Sequence, residues 1–120
     1  MRVEIPGLAP RLNEKFVSRS FVLSAKYREY KENARLYVPV RAKRYTTPIY
    51  MCITFFVSRD RDIDSGVKVV LDSLEGLCYD NDSQITELKV IKVKCKKGKE
   101  RTLITISGST EFREVEKLED

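Results

Sequence analysis

The sequence predicts an α+β domain in which two helices pack on a mixed β-sheet. Residues 49–57 are almost entirely apolar, which is typical of a central strand. Apolar residues recur at helical spacing before and after this strand, in residues 25–38 and 63–74. Shorter strand-like runs lie near both ends of the chain. The predicted order of elements is β-(β)-α-β-α-β-β, where the parentheses mark an ambiguous strand.

The composition indicates one globular domain. The chain has 120 residues, of which 34% are charged and 42% hydrophobic, and we expect a single domain with one core. No apolar run is long enough to span a membrane, and the N-terminus lacks the apolar segment of a signal peptide. We therefore expect a cytoplasmic protein.

Cysteine and histidine usage disfavours several kinds of site. Cys52, Cys78 and Cys95 are far apart and form no C-x-x-C pair, and the chain has no histidine. This argues against a structural zinc site and against a disulfide framework, and we expect reduced thiols in the core. Because histidine is the commonest general base, any hydrolysis here would have to use carboxylates, a lysine and a metal.

The charge is unevenly distributed along the chain. The net charge is +5, yet residues 111–120 hold five acidic and two basic side chains, so the other 110 residues carry +8. A basic body around a cluster of acids suits a polyanion that meets a metal. We expect residues 109–120 to form an acidic tail that is mobile or takes part in a subunit contact.

Strands and one helix are predicted in the first third of the chain. Residues 2–5 alternate like a short strand, and residues 16–23 allow a second one. Ser24 is a suitable N-cap for a helix over residues 25–38, and Pro39 ends it.

Tyrosines line one face of this first predicted helix. Tyr27, Tyr30 and Tyr37 share the face with Ala34, and such residues more often pack in a core than stack on bases. The loop that follows contains a basic run at residues 41–44. Such a run is usually solvated surface, although it is also a candidate for phosphate contact.

The second helix is predicted directly after the central strand. Its packed face holds apolar residues at helical spacing, namely Ile63, Val67, Val70, Leu71 and Leu74. Asp64 or Ser65 can cap its start, and Gly76 suits a left-handed turn at its end.

Acidic residues cluster on both sides of this helix. Asp60, Asp62 and Asp64 precede it at alternate positions, and Asp80 and Asp82 follow it. Carboxylates gathered in space repel one another unless they share a cation, and Mg²⁺ or Mn²⁺ prefers such oxygen ligands. A purely structural interpretation is also open, in which Asp64 and Asp82 serve only as caps.

A calcium-binding loop does not explain these acids. In an EF-hand loop that starts at Asp60, Ser65 stands where glycine is needed and Leu71 where glutamate is needed. A loop that starts at Asp80 places Ile85 at the glycine position.

Lys68 lies one helical turn after Asp64, from where its ammonium could reach a phosphate bound over a metal.

The last part of the chain predicts a lysine-rich hairpin. Residues 86–95 alternate imperfectly, which a bulge near Val90 would reconcile, residues 96–99 form the turn, and residues 102–106 form the return strand. The predicted DNA-binding residues are basic and lie in this hairpin or beside the acids: Arg61, Lys68, Lys89, Lys92, Lys94, Lys96 and Lys97.

The order R-D-x-D-x-x-x-K, a helix, and then D-N-D-x-Q-[IV] resembles the RusA family of Holliday junction resolvases. The motif reads Arg61-Asp62-Ile63-Asp64 with Lys68, followed by Asp80-Asn81-Asp82-Ser83-Gln84-Ile85, and the core of the match spans residues 57–93. The resemblance implies a similar α+β fold and a homodimer. It implies that Asp62, Asp64 and Asp82 bind metal and that Lys68 is an essential basic partner. One departure is Ser65-Gly66, where the family often has Asn and an apolar residue. Asp60, Asp72 and Asp80 are not carried over, and we expect them to be surface acids.

The leading hypothesis is a Mg²⁺-dependent endonuclease that cuts four-way DNA junctions by paired symmetric nicks, with Asp62, Asp64, Lys68 and Asp82 as its catalytic residues. Mn²⁺ is a possible substitute for Mg²⁺. The alternative is a DNA-binding module of the same fold without catalysis. An RNA-binding domain is disfavoured because the chain has no tryptophan and no aromatic stripe of the RNP type.

Overall fold

The computed structural model describes residues 1–11, 24–39 and 44–108. Its strands are β1 (Arg2–Pro6), β2 (Ile49–Val57), β3 (Ile85–Lys94) and β4 (Arg101–Gly108), and its helices are α1 (Ala25–Tyr37) and α2 (Val67–Leu74). A single 3₁₀ turn, Asp82–Gln84, precedes β3. The predicted strand at 16–23, the basic residues 41–43 and the tail 109–120 lie outside the described residues.

The four strands form one mixed sheet in the order β1-β4-β2-β3. β2 is parallel to β3 and antiparallel to β4, which in turn is antiparallel to β1. Together with the two helices, this confirms the predicted α+β class and the central position of β2. Among the described residues, no helix is long and apolar enough to cross a membrane.

The core lies on one face of the sheet. Alternate residues of β2 from Ile49 to Val57 are buried, whereas Tyr50 and the residues in phase with it are only half-buried. Both helices cover the same face, because Tyr30 of α1 bonds to buried Thr102 and the start of α2 packs on Phe55. Within the residues that the structure describes, β2 is therefore central in the sheet and has helices on one of its two faces.

β3 and β4 do not form the predicted hairpin. Both strands pair with β2, one on each side of it, so the connection between them crosses the end of β2. The turn at Lys96–Lys99 exists, with a hydrogen bond of 3.0 Å from Lys99 N to Lys96 O, but it belongs to this crossing connection. Alternation within a strand does not reveal its neighbours, and here β4 fills the place between β1 and β2.

The irregularity in β3 lies at its start and not near Val90. Ile49 pairs with Ile85 and Tyr50 pairs with Glu87, so Thr86 is the extra residue. Its hydroxyl donates to the carbonyl of Ile49 at 3.3 Å. Beyond this bulge β3 is regular and carries apolar residues on both faces, which explains the imperfect alternation.

The first helix follows its predicted boundaries closely. The Ser24 hydroxyl accepts a hydrogen bond from the backbone N–H of Tyr27 at 3.3 Å, which confirms the N-cap. Tyr27, Tyr30 and Ala34 are buried, as expected for packing residues. Tyr37 is 44% exposed instead, because this last helical residue borders a surface hollow beside the turn that precedes β4.

The start of the second helix differs from the prediction. Gly66 occupies the N-cap without a side-chain hydrogen bond, so neither Asp64 nor Ser65 is the cap. Residues 62–66 form a turn in which the N–H and hydroxyl of Ser65 both donate to the carbonyl of Asp62, at 3.1 and 2.7 Å. Ile63 lies in this turn and is 49% exposed, so it is not part of the packed face.

Two glycines set the limits of this helix for different reasons. A Cβ at Gly66 would lie 2.7 Å from the Cβ of Ala9 and 3.1 Å from the Phe55 ring, so the turn packs closely only because no side chain is present. Gly76 has a φ of +83°, which confirms the left-handed turn after the helix. The close packing of Gly66 against Ala9 and Phe55 fixes where the turn that carries Asp62 and Asp64 meets the core.

Candidate active site

Asp62 and Asp64 lie on the turn between β2 and α2. Their carbonyls are bound within the turn, since Ser65 donates to Asp62 and the N–H of Val67 donates to Asp64 at 3.2 Å. Both side chains are exposed. The backbone is thus held in place while the two carboxylates face solvent.

Asp82 lies on the second acidic segment, in the 3₁₀ turn before β3. Its carboxylate accepts from the ammonium of Lys68 at 3.3 Å, and its N–H donates to the carboxylate of Glu75 at 3.2 Å. Both partners belong to α2 or to its C-terminal cap. The tertiary structure therefore brings Asp82 to the helix that starts directly after Asp62 and Asp64.

Neither Asp64 nor Asp82 is a helix cap. The N-cap of α2 is Gly66, and the cap of the 3₁₀ turn is Asn81, whose side chain accepts from the N–H of Ser83 at 2.9 Å. The capping interpretation of these two acids is therefore wrong. Neither side chain is used to close a helix end.

Lys68 connects the helix α2 to the Asp82 turn. Its ammonium lies 3.2 Å from the carboxylate of Asp72, one turn further along α2, and 3.3 Å from that of Asp82. Hydrogen bonds to Asp72, foremost, and to Asp82 raise the pKa of Lys68 above its usual value, although burial acts in the opposite direction. Lys68 is therefore charged at neutral pH and is held between Asp72 and Asp82.

Asp72 is not the surface acid that was expected. Its side chain is only 17% exposed, and it accepts a hydrogen bond of 3.0 Å from the hydroxyl of buried Tyr27. Burial and then this hydrogen bond raise the pKa of Tyr27, so the tyrosine stays neutral and donates. The position of Asp72 four residues after Lys68 is the signal in the sequence that points to this pair.

Gln84 is part of the motif read from the sequence, but its role becomes visible only in the structure. Its side-chain oxygen accepts from the N–H groups of Asp80 and Asn81 at 2.8 and 3.0 Å. Its side-chain nitrogen donates to the carbonyls of Tyr45 and Thr47, both at 2.9 Å. One amide therefore fastens the Asp82 turn to the segment that leads into β2.

Asp60 and Asp80 are surface acids, as predicted. Asp60 forms an ion pair of 2.9 Å with Lys92, and Asp80 forms one of 3.0 Å with Arg44. The hydrogen bond from Lys92 is the main reason why the pKa of Asp60 is lowered. Exposed pairs of this kind contribute little to stability.

The predicted DNA-binding residues do not share one surface. Lys92 and Lys94 align with Phe55 and Val57 and so lie on the helical side, whereas Lys89 aligns with Cys52 on the open face. Lys96 and Lys97 are exposed in the turn that follows β3. At the C-terminal end of β3, Lys92 reaches the acidic turn through its contacts with Asp60 and Arg61.

Two of these basic residues also support the acidic turn. The guanidinium of Arg61 donates to the carbonyl of Ala9 at 2.9 Å. The ammonium of Lys92 donates to the carbonyl of Arg61 at 2.8 Å. Basic side chains the sequence did not single out, Lys26 and Arg59, border a neighbouring hollow of about 510 Å³ together with Arg61.

The site fits a hard divalent cation in the type of its donors. Asp62, Asp64 and Asp82 offer carboxylate oxygens from two turns that are at least partly open to solvent. In the described part of the chain, however, no three acidic or cysteine side chains are close enough to hold one ion as they stand. Joint binding would require the carboxylates to move closer together.

Comparison with known families gives a match over most of the chain. The family model for endodeoxyribonuclease RusA matches residues 6–107 of 120. Comparison with curated proteins gives no match. The matched span includes both acidic turns, Lys68 and all of β2, α2 and β3. Members of this family are hydrolases that act on the phosphodiester bonds of DNA, and the family implies Holliday junction resolvase activity. The chain therefore belongs to the RusA family of endodeoxyribonucleases.

Proposed function

We propose that the protein resolves Holliday junctions in DNA recombination and repair, as a Mg²⁺-dependent endonuclease that makes paired symmetric nicks. The observation that carries this proposal is the position of Lys68, whose ammonium joins the Asp82 turn to the helix that begins after Asp62 and Asp64. A fixed positive charge beside several carboxylates is the arrangement needed where an anionic phosphate meets a metal.

In this proposal Asp62, Asp64 and Asp82 hold Mg²⁺, with Mn²⁺ as a possible substitute. When bound, the metal supplies an activated water and stabilises charge on the scissile phosphate. Lys68 contacts a phosphate oxygen and adds a positive charge that needs no reorganisation during the reaction. Tyr27 and Tyr79 are not bases here, since burial raises the pKa of both hydroxyls.

The rest of the DNA would be held by the basic side chains around the site. Arg61, Lys92 and Lys94 lie beside the acidic turn, and Lys96 and Lys97 extend this basic surface past the end of β3. These contacts would go to phosphates and fix the position of the strand rather than read its bases. Lys89, on the open face of the sheet, would contact a more distant part of the junction.

Paired nicks require two sites related by symmetry. We therefore propose a homodimer whose two-fold axis matches that of a four-way junction. Sedimentation at micromolar concentration should show a dimer. A monomer that still makes symmetric paired nicks would contradict this part of the proposal.

Cleavage of a synthetic four-way junction tests the proposal directly. Purified protein should nick two opposing strands in the presence of Mg²⁺ and none in the presence of a chelator. The Asp62→Asn variant should lose cleavage, whereas Asp60→Asn, the same chemical change on an exposed acid nearby, should retain it. Equal cleavage of linear duplex and junction would refute the preference for branched DNA.

One observation favours a second candidate, a DNA-binding module without catalysis. In the described ranges, no three acidic side chains lie close enough together to bind one metal ion, and Asp82 is paired with Lys68 instead. Under this alternative the wild-type protein binds junctions but cleaves none at any Mg²⁺ or Mn²⁺ concentration. Metal-dependent nicking by the wild type excludes it.

A further inference from the structure

The ammonium of Lys68 is shared by two carboxylates from different parts of the fold. Asp72 lies on α2 with Lys68 and is 3.2 Å from it, whereas Asp82 lies on the 3₁₀ turn and is 3.3 Å from it. The lysine is 46% exposed, while Asp72 is only 17% exposed. Asp72 is therefore the inner partner of the pair, and Asp82 is the outer one.

Asp72 is itself held by a residue of the core. One of its oxygens accepts from the hydroxyl of Tyr27, and the other faces Lys68. Tyr27 belongs to α1 and is 1% exposed, so its ring cannot turn without disturbing the packing of α1. The orientation of the Asp72 carboxylate is thus set by the interface between the two helices.

From this arrangement we propose that Asp72 is a positioning residue that holds Lys68 at the site, and that Tyr27 orients Asp72. The inference rests on the proposed function, in which Lys68 contacts the substrate phosphate. A lysine side chain has four rotatable bonds, and a second carboxylate restricts the ammonium to a small region. It also keeps Lys68 in place when Asp82 turns to a different partner.

The carboxylate of Asp72 has a second consequence for Asp82. With two acceptors available, the ammonium does not need Asp82 as its sole partner. Without the charge on Asp72, Lys68 would pair with Asp82 alone and compete with any cation that this acid binds. Loss of Asp72 would therefore misplace the lysine and block one proposed ligand at the same time.

Three variants test this role: Asp72→Asn, Lys68→Met and the double variant. Asn keeps the shape of Asp and its carbonyl still accepts from Tyr27, so the fold should be retained. We expect Asp72→Asn to lower turnover at saturating junction by about 10- to 100-fold, a loss typical of a misplaced group. Junction affinity in chelator should stay within about twofold, because Arg61, Lys92 and the other proposed phosphate contacts apart from Lys68 are unchanged.

The double variant separates a positioning role from an independent one. If Asp72 acts through Lys68, the double variant should be no slower than Lys68→Met alone. Losses that multiply in the double variant would overturn the proposal. Asp80→Asn is the matched control, because it also removes an acid from an ion pair but leaves Lys68 untouched.

A direct measurement on Lys68 does not depend on cleavage. The ¹H–¹⁵N signal of its ammonium, assigned by its absence in Lys68→Met, should be visible in the free wild-type protein because two carboxylates slow its exchange. Asp72→Asn should weaken this signal and change its chemical shift, Tyr27→Phe should have a smaller effect of the same kind, and Asp80→Asn should leave it unchanged. An unchanged signal in Asp72→Asn overturns the proposal. A wild-type protein that cleaves no junction refutes the proposed function instead, and the ammonium signal still decides whether Asp72 holds Lys68.

Discussion

The Nζ of Lys68 and the Oδ2 of Asp82 are 3.3 Å apart, although 14 positions separate the two residues in the sequence. The contact exists because β2 and β3 are parallel, so α2 has to run back along the sheet between them. The turn that follows the helix then passes beside it. The second acidic segment is thereby brought beside the helix that follows the first one.

Removing the charge of one proposed metal ligand should abolish cleavage. Asp62→Asn, Asp64→Asn and Asp82→Asn should each cleave at least about 100-fold more slowly, while junction binding in chelator stays equal or increases, since repulsion of the phosphates falls. Stability should change by about 1 kcal/mol or less, because these side chains are wholly or partly exposed. Asp60→Asn is the matched control. Full cleavage by Asp62→Asn or Asp64→Asn would refute the proposed metal site.

Gln84→Leu should destabilise the fold and weaken cleavage together. The change removes four hydrogen bonds that tie the Asp82 turn to the segment before β2, and we expect a loss of about 2–4 kcal/mol in unfolding free energy. Gln84→Glu separates the two halves of this network, because its carboxylate still accepts from Asp80 and Asn81 but cannot donate. Denaturant unfolding should place this variant between Leu and the wild type; a Leu variant as stable as the wild type would contradict the anchoring role.

Gly66→Ala should destabilise the turn that carries Asp62 and Asp64. The new methyl group would meet the Cβ of Ala9 at 2.7 Å and the Phe55 ring at 3.1 Å, so the turn must shift, at a cost of about 1–3 kcal/mol. Adding Ala9→Gly removes the closest of these contacts and should restore part of the loss. Thermal unfolding of the three variants measures this coupling, and strictly additive losses would show that Ala9 and Gly66 do not press on each other.

Salt dependence should reveal which face of the sheet meets DNA. Lys94→Gln, on the helical side near the acidic turn, should weaken junction binding and reduce the slope of log K against log salt by about 1. Lys89→Gln removes the same charge from the same strand but on the open face, and its effect should be smaller. An equal or larger effect of Lys89→Gln would place the main DNA contact on the open face.

The three thiols should differ in reactivity. Burial raises the pKa of Cys78 to about 11, so at pH 8 almost none of this thiol is in the reactive thiolate form. Cys52 and Cys95 are half-buried and should react with a thiol reagent in the native protein, whereas Cys78 should react only after unfolding. The labelled sites can be identified by mass spectrometry, with a denatured sample as the control for full labelling. Rapid native labelling of Cys78 would show that the core at the end of α2 opens readily.

Features that depend on neighbouring residues could be predicted from the sequence. The Ser24 cap, the central strand and the left-handed Gly76 follow from side chains and glycines at local spacing, and the structure confirms them. The order of the acids and Lys68 was sufficient to indicate the family. Each of these properties is set within a few residues, where the chain has few conformations to choose from.

Features that depend on distant residues were decided only by the tertiary structure. The insertion of β2 between β3 and β4 replaced the expected hairpin, and the packing of Gly66 on Ala9 moved the cap of α2. The sequence did not distinguish Asp72 from other acids on a helix, because its partner Tyr27 belongs to α1 and meets it only in the folded protein. The spacing of apolar residues shows which face of a helix or strand is apolar, but it does not show which element covers that face. Burial of a side chain depends on segments that are far apart in the sequence and meet only in the folded chain.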